Sequence, residues 1–166
     1  VAPYLIPNFF TYSKKQFPDL AIKFEELPTE MELNALRCGD VDIAILATQH
    51  NDNQLLEIPL YKEELVVYAS QGSPLLSHEK VETAMLSSDN LWVLRSEHCL
   101  SAQTLEFCHL KKDTSACYTA GNIFTLINII DSQGGYTIIP ESHIGMLSHE
   151  QKTRVRHLAH PEPCRQ

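Results

Sequence analysis

The stretch LAIKFEELPTEMELNALRCGDVDIAILA, Leu20–Ala47, carries the reading of the fold. Leu20, Ile22 and Phe24 alternate with Ala21, Lys23 and Glu25, the two-residue period of a strand with one buried face. Thr29 stands three residues ahead of Glu32, a capping box in which the hydroxyl satisfies N–H groups at a helix start while the glutamate reaches back. The helix predicted from there carries Leu33 and Leu36 and stops at Gly39, which tolerates the left-handed conformation of a C-terminal cap. Val41 to Ala47 is apolar except for Asp42, the composition of a parallel strand covered on both faces. Strand, helix and strand over so short a stretch is the grammar of an α/β sheet.

Upstream, Leu5, Phe9, Phe10, Tyr12 and Phe17 form a helical stripe over residues 3–17, closed by Pro18. Downstream, residues 55–61 and 64–70 read as strands joined by the turn Lys62-Glu63, and residues 91–94 as a short strand. A helix is predicted from Ser101, its N-cap, to about residue 110, and another from Asn122 to about residue 132 with Ile123, Leu126, Ile127 and Ile130 on its buried side. Gly134-Gly135 ends that helix, and Tyr136 to Ile139 returns as a strand before Pro140. Residues 141–166 are His-rich, polar and weakly periodic, and no element is assigned to them.

With 166 residues, 43% of them hydrophobic, the chain can bury a core the size of one domain or two small lobes. Thirteen Lys plus Arg against twenty-one Asp plus Glu give a net charge of −8, which repels phosphate backbones, so this chain by itself is not expected to bind DNA. The longest uncharged run, Thr114 to Ile130, is too short in its apolar part to span a bilayer. Val1-Ala2-Pro3-Tyr4-Leu5-Ile6-Pro7 has no starting Met, basic flank or cleavage site and reads as a boundary inside a larger protein. Five cysteines (Cys38, Cys99, Cys108, Cys117 and Cys164) are an odd number at irregular spacing, which points to a reducing cytoplasm where a disulfide is transient.

The chemistry centres on Cys99 and Cys108, nine positions apart. One reading makes both small buried hydrophobes, the common fate of a free cysteine, and the same fate is expected for Cys38 and Cys117. The other makes them a reactive pair. With Ser101 as N-cap, Cys99 lies just ahead of a helix N-terminus, where the dipole and free N–H groups favour a thiolate; Arg95 and His98 assist and Glu97 opposes. Cys108 falls near the end of that helix, so Cys99 is the better nucleophile. At ~1.5 Å rise per residue the two Cα atoms stand at least ~12 Å apart, whereas a disulfide needs them within about 7 Å, so bonding requires the helix to unwind. A zinc site from His98-Cys99 and Cys108-His109 competes with this reading but lacks ordinary ligand spacing. A thiol peroxidase built on Cys99 competes too, without a further catalytic framework; neither a metal, a cofactor nor an enzyme is expected.

Val1 to Pro7, the run Gly39-Asp40-Val41-Asp42-Ile43-Ala44-Ile45 and Gly134-Gly135-Tyr136-Thr137-Ile138-Ile139-Pro140 resemble the effector domains of LysR-type transcription regulators. His98-Cys99-Leu100 with Cys108 nine positions on, followed by Pro161-Glu162-Pro163, is similar to their peroxide-sensing OxyR branch. The resemblance implies an α/β fold of two Rossmann-like lobes, as in periplasmic binding proteins: residues 1–64 as a first lobe that is incomplete here, and residues 65–166 as a second holding the redox segment 97–120. It implies that hydrogen peroxide oxidises Cys99 to a sulfenic acid, which Cys108 resolves to a disulfide. Thr29, His98 and Arg165 would hold the peroxide, Thr29 having its reading as a helix cap beside this one. The implied partners are a homodimer or tetramer, promoter DNA and RNA polymerase through a full-length activator, and a thiol reductant such as glutaredoxin or thioredoxin. The alternative within the same resemblance is an effector domain that binds a small metabolite between its lobes, with the cysteines incidental.

Overall fold

The computed structural model describes residues 2–48, 50, 52–95, 99–107, 118–159 and 164–165. Helices α1 (Ala2–Gln16) and α2 (Thr29–Cys38) are followed by strand β1 (Glu63–Ala69), β2 (Lys80–Val81) and β3 (Trp92–Leu94). Helix α3 (Cys99–Phe107) leads to β4 (Tyr118–Ala120), and α4 (Ile123–Gln133) to β5 (Tyr136–Pro140). A 3-10 turn over Glu141–Met146, the short α5 (His149–Lys152), β6 (Val155–Leu158) and β7 (Cys164–Arg165) complete the order.

Residues 91–140 form a Rossmann-like βαβαβ unit. β3 pairs in parallel with β4, and a parallel bridge from Leu91 to Tyr136 ties β3 to β5. Between them α4 starts at Asn122, whose side chain accepts from the Thr125 N–H, and stops at Gly134, whose φ is +86°. Its Leu126, Ile127 and Ile130 are buried and Ile123 packs on the edge of the core. On the other side of β5 the sheet turns antiparallel: β1 pairs with β5 from Leu65↔Pro140 to Ala69↔Tyr136, and with β6 from Val66↔His157 to Tyr68↔Val155. β2 adds to β6 in parallel, and β7 extends the ladder of β1 through Glu63↔Arg165 and Glu64↔Cys164. Every side chain of β1 from Leu65 to Ala69 is buried, so both faces of this central strand are covered.

The amino-terminal region differs from its predicted form. Residues 20–26, 41–47 and 55–61 are not strands. Several of their apolar side chains stand in solvent, with Leu20 50%, Ile43 78%, Leu56 86% and Ile58 69% exposed. A strand is stable only when another strand satisfies its N–H and C=O groups, and among the described residues none lies alongside these segments. Helix α2 forms and ends at Gly39 with φ +75° as predicted, but its N-cap is Pro28, so the Thr29 hydroxyl caps nothing. The capping box stands instead at Ser148 and Gln151, ahead of α5, in the stretch left unassigned. Glu63, placed in a turn by the sequence, opens β1, and Cys38, expected to be buried, is free and exposed.

Candidate functional site

Cys99 is the first residue of α3, and Ser101, the predicted N-cap, lies inside the first turn and is buried at 4% exposure. The helix begins two residues earlier than predicted because Leu100, Ser101 and Thr104 together form its buried face, which draws the first turn onto the core. Position 99 therefore keeps its place at the positive end of the dipole, with no acidic residue in the first turn to oppose it. His98 and Cys108, with the segment 108–117, lie outside the described residues.

One turn after Cys99, Gln103 joins α3 to the amino-terminal region. Its Nε2 donates to the Ala47 carbonyl at 3.2 Å, and its Oε1 is buried without a hydrogen-bond partner among the described residues. No motif marked this residue; its signal was its position, four residues on from the candidate nucleophile. Thr29 is half-buried at the start of α2, with its hydroxyl unused by the helix. Beside it on α2, burial pushes the Glu32 carboxyl above its usual range. Arg165 sits in β7 opposite Glu63, a buried carboxylate that accepts from the Ser142 N–H and hydroxyl.

An apolar hollow of about 240 Å³ lies between Leu33 and Leu36 of α2 and the segments 44–48 and 55–61. Its lining residues all fall between Leu33 and Glu63, so it does not bridge to the unit that contains α3.

A model of the LysR substrate binding domain matches residues 1–166, the whole chain. The chain belongs to this family. The LysR-type domain is 30% identical over 169 residues to a hydrogen peroxide-inducible genes activator of Haemophilus influenzae, a match covering 99% of this chain and 55% of the relative. It thus spans about half the length of such a relative. Among solved structures it is similar to reduced OxyR from Porphyromonas gingivalis, with a TM-score of 0.86 and 32% identity over 99% of this chain and 76% of that one. It is also similar to the oxidized form of OxyR, with a TM-score of 0.78 and 25% identity over 99% and 78% of the two chains. The expected α/β fold and its family are therefore those of the LysR-type domain.

Proposed function

We propose that this LysR-type domain is the peroxide-sensing regulatory part of a transcription activator of the OxyR kind. The relatives are regulators of hydrogen peroxide-inducible genes, and the observation that carries the reading to chemistry is the place of Cys99 at the start of α3. A thiolate there attacks one oxygen of hydrogen peroxide; the O–O bond breaks, hydroxide leaves, and Cys99 becomes a sulfenic acid. The Cys108 thiol then attacks that sulfur, forming the S–S bond and releasing water. Two thiols are oxidised, one peroxide is reduced, and a thiol reductant resets the pair.

The described helix makes this second step a conformational one. From Cys99 to Phe107, α3 spans ~12 Å at its ordinary rise. One trans peptide of ~3.8 Å beyond Phe107 cannot bring the Cα of Cys108 nearer than ~8 Å to that of Cys99, outside the range of about 7 Å that a disulfide tolerates. The carboxy-terminal turns of α3 must unwind for the bond to form, and the bond then holds them unwound.

Thr29, His98 and Arg165 bind the peroxide in this reading, with Thr29 favoured by a hydroxyl the helix start does not consume. Residues 1–64 and 65–166 act as two lobes of a cytoplasmic homodimer or tetramer, which reaches promoter DNA and RNA polymerase through the rest of the activator. Low micromolar peroxide is expected to convert Cys99 and Cys108 to a disulfide, read by mass spectrometry of alkylated peptides. Two free thiols after treatment overturn the proposal.

A further inference from the structure

We propose that Glu64, Glu141 and His157 form a divalent-cation site, separate from the cysteine chemistry. The three residues come from three elements: Glu64 from β1, His157 from β6, and Glu141 from the 3-10 turn that follows β5. The sheet register puts them together. Because Leu65 pairs with Pro140 in an antiparallel ladder, the residue before the first and the residue after the second, Glu64 and Glu141, fall opposite one another. Val66 pairs with His157 on the other edge of β1, two residues from Glu64 and therefore on its face of the strand. One ligand atom from each residue lies within 4.8 Å of the other two, and His157 Nδ1 is 3.7 Å from Glu64 Oε2.

One observation favours a cation at this place. Carboxylates directly opposite across a ladder repel, and the sheet holds these two face to face. Two carboxylates and one imidazole on one side of an ion, with water filling the remaining positions, suit a manganese-like divalent metal. Metal–ligand bonds of about 2.1 Å place adjacent donors about 3 Å apart, so donors up to 4.8 Å apart need close by at most about 2 Å. Their ends are free to do so, with the Glu64 and His157 side chains 43% and 48% exposed, while their backbones are fixed by the ladder.

Titration of the reduced 166-residue protein with Mn2+, followed by electron paramagnetic resonance, tests the assignment; a hard cation avoids the thiols, which attract softer metals. One Mn2+ per chain is expected to bind with a dissociation constant below about 1 mM, weakened about ten-fold or more in Glu64→Gln, Glu141→Gln and His157→Ala. The echo modulation from an imidazole nitrogen is expected in the unaltered protein and absent in His157→Ala. Unaltered binding in the three variants, absence of nitrogen modulation in the unaltered protein, or no saturable binding overturns the proposal.

Discussion

At the scale of single residues, the side chains around Asp131 are heavily loaded. Its carboxylate accepts from the Tyr68 hydroxyl at 2.5 Å, the Arg154 guanidinium at 2.8 Å and Gln151 at 2.9 Å. Burial, then the bond to Asp131, pushes the Tyr68 hydroxyl well above its ordinary value, so it remains a donor. Replacing Asp131 with Ala strands a mostly buried arginine and a buried phenol, and is expected to cost about 2–4 kcal/mol in urea unfolding. His143 is loaded differently. It is 1% exposed, neither ring nitrogen has a hydrogen-bond partner among the described residues, and the rings of Tyr4 and Phe124 pack edge-on to it. Burial pushes its imidazole below the ordinary value, so around pH 6 the unfolded chain binds more protons than the folded one and stability rises with pH. The stabilisation is present above about pH 6.5 and is lost as pH falls below that value toward the folded-state one. His143→Leu is expected to flatten the fall in Tm between about pH 7.5 and 5.5, measured calorimetrically.

Gly135 shows a backbone constraint at the same scale. Its φ is +98°, and a Cβ there would meet the Asn90 carbonyl at 2.4 Å and the Trp92 ring at 2.9 Å. Gly135→Ala is therefore expected to destabilise the parallel unit by about 2–4 kcal/mol, read as a lower midpoint in denaturant.

Among the elements, α3 carries the prediction that bears on function. Ala102 is exposed on it, so Ala102→Gly weakens the helix by about 1 kcal/mol without touching its buried face. If unwinding gates the disulfide, the variant should close the bond up to about five-fold faster after peroxide, in quenched-flow alkylation, while sulfenic acid forms at an unchanged rate. An unchanged closure rate would place the slow step elsewhere.

The elements also show what was legible beforehand. α1, α2, α4, β1, β3 and β5 were readable because their signals are local: a helical stripe, a glycine at a left-handed cap, an apolar run before a proline. The segments 20–26, 41–47 and 55–61 have strand-like patterns yet form no ladder, since pairing depends on partners that a one-dimensional pattern does not contain. The same limit hid the meeting of Glu64, Glu141 and His157, which only the register of three strands brings about. Cys99 could be singled out because two cysteines and a helix start lie within one short stretch; Gln103 was passed over because a lone glutamine carries no spacing signature.

For the whole molecule, the expected consequence of peroxide is a change confined mainly to residues around 97–120. Hydrogen exchange should speed in that region on oxidation and stay slow in β1, β5 and α4, whose side chains form the core. Exchange that rises across β1 as well would show that the sheet itself is rearranged. At a net charge of −8 the isolated chain is expected to leave duplex DNA unretarded at physiological salt.

The crossover from β3 to β4 has a mechanical consequence. Parallel strands cannot be joined by a tight turn, so the chain between Leu94 and Tyr118 must travel back along the sheet before re-entering it. Residues 95–117 hold roughly 75 Å of contour at ~3.3 Å per residue, several times what the return journey needs. Within that connector Cys99–Phe107 is wound into α3 and laid on the core, so one helix both spans the gap between two paired strands and begins at the candidate nucleophile.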